Sequence, residues 1–175
     1  MEKIGILSRI KMLSRPQGNM MWKKAIKTIF LMIVGGFLAQ YFGLNAGIQT
    51  IMVVTLFATL IFDLEIPFKK LIFLGVISAF ITVLAFISVF LSYYSLPIFI
   101  FFTILWSFFT LSLYIFGETE GLIGYAFFLT YFLAAILFDN KYNLIEWTSY
   151  AVFAYLIASI LLIPKFLERK RYIRK

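Results

Sequence analysis

Leu71–Leu91 reads LIFLGVISAFITVLAFISVFL. It has no charged residue, no proline and no strict alternation of apolar and polar residues, so it is not the pattern of a half-buried or barrel strand. A helix needs about 20 predominantly apolar residues to cross the hydrocarbon core of a bilayer, and this run has them. On either side lie similar runs: Thr28–Phe42 and Gly47–Phe62 before it, and Ile98–Phe116, Leu122–Phe138 and Trp147–Ile163 after it. The first two are a little short and are expected to extend into their flanks or to sit in a thin part of the bilayer.

The whole chain agrees with that reading. Of its 175 residues 63% are hydrophobic and 14% charged, against about 45–50% and about 25% in soluble domains. The gaps between runs are short, which makes consecutive helices antiparallel neighbours. The expected fold is therefore an all-α integral membrane protein with six transmembrane helices, over about 25–43, 46–63, 70–91, 97–116, 121–138 and 146–163 of a domain spanning 23–165. A basic segment, 1–22, precedes it and a basic tail, 166–175, follows. In Met1–Arg15, Ile6, Ile10 and Leu13 share one helical face, so an interfacial helix and a disordered basic tail are both open readings.

The basic residues set the orientation. Lys3, Arg9, Lys11, Arg15, Lys23, Lys24 and Lys27 precede the first run, Lys69 and Lys70 lie between the second and third, and Lys165, Arg169, Lys170, Arg171, Arg174 and Lys175 follow the last. With six spans these fifteen fall on one side and only Lys141 on the other. Cytoplasmic loops carry the excess of Lys and Arg, so both termini are expected in the cytoplasm and the chain in the cell inner membrane. The net charge of +8 is accounted for by these membrane flanks, where it meets anionic lipid, and no nucleic-acid partner is expected. With no Cys and no His, disulfide, zinc and haem chemistry drop out, no cofactor or metal is expected, and the chain does not read as an enzyme.

Small residues recur at intervals of four: Gly35, Ala39 and Gly43; Gly75 and Ala79; Ala126, Thr130 and Ala134; Ala154 and Ala158. In lipid such ladders let helix backbones approach, within a chain or between the two copies of a homodimer. The fourth run differs. Thr103, Ser107, Thr110 and Tyr114 share one helical face with Trp106 beside them. A stripe of hydroxyls is either interhelical glue and bonding back to the helix's own carbonyls, or the wall of a polar path. Gln40 and Gln49 near the first outer turn, and Tyr125 and Tyr131 on the fifth run, would join that path.

No charge sits in the middle of a span, so any coupling carboxylate must come from a helix end. GETEG, Gly117–Gly121, supplies two, Glu118 and Glu120. As a plain turn, Gly117 stops the fourth helix, Thr119 caps the fifth and Glu120 meets its positive dipole end. As a working part, Glu118 or Glu120 faces the mouth of a path and takes up a proton or gates it, with burial and mutual repulsion raising the carboxylate pKa.

The layout resembles the membrane half of the fusaric-acid-resistance and aromatic-acid-exporter superfamily, to which the aluminium-activated malate channels are related. The resemblance rests on LAQYFGLNAG closing the first helix, the basic PFKK loop before a third helix with an early Gly75, the acidic turn before GYAFFLTYFLAAIL, and LLIPKFLERK at the close of the sixth helix. Ile48 and Gln49 stand where the family often has Trp, and Lys70 and Gly75-Val76 where it has Arg and Gly-Thr. The cytoplasmic helical domain that often follows has no counterpart in these residues, so a shortened or minimal member is expected. The resemblance implies export of small organic, often aromatic, acids. The other class left open is a non-transporting membrane scaffold or a subunit of a larger membrane complex.

Overall fold

The computed structural model describes residues 18–64, 66–163 and Phe166, at 18–21, 23, 118, 119 and 122 by their backbone alone. The reading of Met1–Arg15 as an interfacial helix and the basic tail beyond Phe166 lie outside the described residues. Six long helices follow one another: α1 Gly18–Tyr41, α2 Ile48–Phe62, α3 Phe68–Ser92, α4 Leu96–Leu113, α5 Glu118–Leu137 and α6 Leu144–Ala158. Short 3₁₀ turns at Asn45–Gly47, Tyr114–Phe116 and Ser159–Leu161 extend α2, α4 and α6, and the described residues contain no strand. Five stretches are long and apolar enough to cross a membrane, falling in all of these helices but α5. The apolar part of α5, Ile123–Leu137, is shorter, because its first turn is taken up by the acidic GETEG segment.

The boundaries have local causes. Gly43 has a φ of 75° and lies just past α1; the Leu44 amide donates to the Ala39 carbonyl at 2.8 Å and the Gly43 amide to Gln40 at 3.1 Å. That paired closure requires a left-handed residue, which glycine supplies without strain. Pro97 in the first turn of α4 gives up an amide that has no helical partner there. Asn143 caps α6, its side chain accepting from the Glu146 amide at 2.7 Å. Gly117 has a φ of 148°, a conformation confined to glycine, and it rather than Thr119 is the capping residue of α5. The helix starts at Glu118, so Thr119 is already inside the first turn and the expected Thr119 cap is not formed.

The helices run up and down, and their connections gather at two ends. At one, the Tyr142 hydroxyl reaches the Ala46 carbonyl at 2.8 Å, and Tyr93 meets Phe138 edge to face at 5.1 Å; this is the turn end. At the other, Lys24 pairs with Asp63 at 3.7 Å and Phe68 lies against Phe166 at 5.8 Å; this is the basic end. Helices α2 and α3 pack on each other and each on α5 and α6, and the four form the core; α5 and α6, though consecutive, make little contact with one another, while α1 leans chiefly on α2, and α4 on α5 and α3.

Most of the small-residue ladders lie in these seams. Gly35 faces Thr55 and Ile157, and Ala39, Ala126, Thr130, Ala134, Ala154 and Ala158 are buried. Gly43 departs from its ladder: nothing lies within 4 Å of the place its side chain would take, and its role is the cap. The flanking helices turn broad apolar faces outward, Phe30, Ile33 and Phe37 on α1 and Phe101, Ile104, Phe108 and Leu111 on α4. Faces so large and continuous belong in lipid or against another protein.

Candidate functional site

The hydroxyl stripe of α4 divides into two kinds of contact. Ser107 donates to the Thr103 carbonyl at 2.7 Å and Thr110 to the Ser107 carbonyl at 3.0 Å, so both hydroxyls are held by their own helix. Thr103 instead reaches across to α5, its hydroxyl 3.2 Å from that of Tyr131. Trp106 is buried and stacks on the Tyr131 ring, with centroids 5.7 Å apart and planes at 19°. Thr103, Trp106 and Tyr131 thus form one polar-aromatic contact midway along α4 and α5.

The other residues expected on the path do not join this contact. Tyr114 is half exposed and lies over Gly121 at the start of α5. Tyr125 is half exposed on α5. Gln40 and Gln49 are both exposed near the turn end. Glu120 is exposed, and its carboxylate curls back over Gly117, where an added Cβ would stand 2.6 Å from Oε2. That places an acid in the first turn of α5, favourable for the helix dipole. The side chain of Glu118 lies outside the described residues.

Two polar contacts were not singled out from the sequence. Thr82 on α3 and Tyr155 on α6 bring their hydroxyls to 3.1 Å inside the core, beside an apolar groove of about 340 Å³ floored by Gly75 and Ala79. Ser78 and Thr82, four apart on α3, were the available signal, one step round the helix from the Gly75–Ala79 ladder. At the turn end, Trp147 is wholly buried, its indole N–H donating to the Phe86 carbonyl at 3.1 Å. It stacks on Phe86 at 4.6 Å and on Tyr142 at 5.5 Å, and meets Phe138 edge to face at 5.1 Å. Tyr150 beside it donates to Glu146 at 2.7 Å. Trp147 stands four residues past the loop Lys141-Tyr142-Asn143, and nothing in that spacing marks it out; only the fold shows it as the centre of an aromatic cluster.

Tyr142 lies in the loop outside the spans, and its titration follows from its place. Burial, with the carboxylates of Asp139 and Glu146, raises it above the ordinary 10.0. The folded protein keeps the phenol proton at pH values where the unfolded chain has begun to lose it. Its contribution to stability is therefore full below 10.0 and is lost as pH climbs through the raised value. Melting curves taken across that range should show a falling midpoint, and Tyr142→Phe should flatten the fall while lowering the midpoint at neutral pH through loss of the bond to Ala46. An equal fall in the variant would assign the alkaline loss to other groups.

Compared with models of protein families, with curated proteins and with solved structures, the chain finds no match.

Proposed function

We propose that the chain is a six-span transport module of the cell inner membrane, with both termini in the cytoplasm, that moves small organic acids outward. The observation that carries the reading is the Thr103–Tyr131 hydroxyl pair under Trp106. In the structure the hydroxyls meet each other and the rings stack, so a substrate would have to part them, its carboxylate taking the hydroxyl donors and its ring an aromatic face. The resemblance to aromatic-acid exporters and the split of fifteen bases to one support the same assignment. The exposed apolar faces of α1 and α4 give a second copy somewhere to dock, so a homodimer belongs to the proposal. Glu120, with Glu118, is the proposed source of gating or of proton coupling.

The experiment is flux of a hydroxybenzoate-type acid into liposomes holding the purified protein, with and without a pH gradient. Saturable flux above empty liposomes is expected. Thr103→Val combined with Tyr131→Phe should lower it about tenfold, the loss of roughly one net hydrogen bond's free energy. Glu118→Gln with Glu120→Gln should remove the response to the gradient. No flux across a panel of organic acids would overturn the reading.

A second reading is supported by Ser107 and Thr110, whose hydroxyls are taken up by their own helix. On that reading the chain is a membrane scaffold or a subunit of a larger complex. It predicts no flux and stable co-purification with a defined partner.

A further inference from the structure

We propose that the groove between α1 and α2 at the basic end binds a phospholipid whose headgroup carries a primary amine. The proposal uses only the chain's place in a bilayer and stands whether or not an acid is transported. The groove has a volume of about 680 Å³, within the range of sites that hold small ligands. Its mouth is set by Lys24 of α1 and Asp63 of α2, its polar floor by Thr28 and Thr59, and its walls toward the middle of the span by apolar side chains such as Ile29 and Leu60.

Depth is the first argument. Lys24 opens the apolar stretch of α1, Lys24–Tyr41, and Asp63 directly follows that of α2, Asn45–Phe62. The two charges therefore stand where hydrocarbon gives way to headgroups, with Ile29 and Leu60 at the level of acyl chains.

Charge complementarity is the second. The Lys24 ammonium and an Asp63 carboxylate oxygen are 3.7 Å apart, and their side chains are 45% and 25% exposed. A tight ion pair closes to about 2.7–2.9 Å; this one is longer, and both of its members line the groove. Among the described residues lining the groove, a cation and an anion stand side by side, an arrangement complementary to a headgroup that carries a phosphate and an ammonium. The phosphate faces Lys24 and the Thr28 hydroxyl, which lies 3.3 Å from that of Thr59. The ammonium faces Asp63. A choline headgroup has no N–H to give the carboxylate, and a glycerol headgroup has no cation for it, so the acid selects the primary amine.

The test uses the full chain purified in detergent and exposed to equal amounts of phosphatidylethanolamine, phosphatidylcholine and phosphatidylglycerol, with retained lipid read by native mass spectrometry. Phosphatidylethanolamine should be retained about threefold over each of the others, the ratio expected of an exposed charge pair. Asp63→Asn should erase the preference and Asp139→Asn, at the turn end, should leave it intact. Leu60→Trp, which fills the groove from the lipid side without touching the charges, should lower retention even if Asp63→Asn fails to fold. Equal retention of the three lipids, preference for phosphatidylglycerol, or a preference that survives both Asp63→Asn and Leu60→Trp would overturn the proposal.

Discussion

Replacing Trp147 with alanine should lower stability by about 3–5 kcal/mol, the range for emptying a buried aromatic site. The indole is wholly buried and ties α6 to two other elements: it stacks on Phe86 of α3 and on Tyr142 of the α5–α6 loop, and lies edge-on to Phe138 at the start of that loop. Its N–H also satisfies a carbonyl of α3. Thermal unfolding in detergent, followed by circular dichroism, measures the loss. Trp147→Phe separates the contributions, since it retains most of the stacking and gives up the hydrogen bond, worth about 1 kcal/mol net. A loss below about 1 kcal/mol in the alanine variant would show that the ring cluster is not what holds this end together.

Gly47→Val should be nearly as damaging, for the opposite reason. A Cβ on Gly47 would stand 2.5 Å from Tyr150 Cε1 and from Cζ, and 2.6 Å from Cδ1, so it would press into the face of the ring. Tyr150 has little room to yield, being wholly buried and bonded through its hydroxyl to Glu146. Overpacking typically costs about 1–3 kcal/mol, and more where the neighbour is pinned. The paired variant Gly47→Val with Tyr150→Ala should recover part of the loss by vacating the ring's place, a coupling that a double-mutant cycle reads directly. If the two losses simply add, the clash is not the cause.

The helical architecture, with helices long and apolar enough to cross a membrane, was legible because it follows from hydropathy alone. Leu71–Leu91 carries no charge, and no other solvent than lipid suits so many such runs. The caps were half legible. Gly43 and Gly117 announced helix ends, yet spacing of four also enrolled Gly43 in a packing ladder, since periodicity does not distinguish a helix's last turn from its seam. Thr119 was assigned a cap on residue type, while the positive-φ backbone at Gly117 places the start one residue before it.

The candidate site was the least legible part. Thr103, Ser107 and Thr110 share a face, and their spacing says nothing of which hydroxyl bonds inward to a carbonyl and which reaches Tyr131. That choice depends on how far α5 stands from each residue, a matter of packing between elements distant in sequence. The Thr82–Tyr155 contact was hidden for the same reason, with one partner on α3 and the other on α6.

The inward-bonded hydroxyls bear on how such a chain is built. The four core helices are not consecutive: α2 and α3 emerge during synthesis before α4, and their partners α5 and α6 come after it. For that interval α2 and α3 must sit among lipid without the neighbours that will later cover them. Thr55, Ser78 and Ser88 each give their proton to a carbonyl three or four residues earlier in the same helix. Each helix thus enters the bilayer with those polar groups already satisfied, and can wait for the ribosome to deliver its partners.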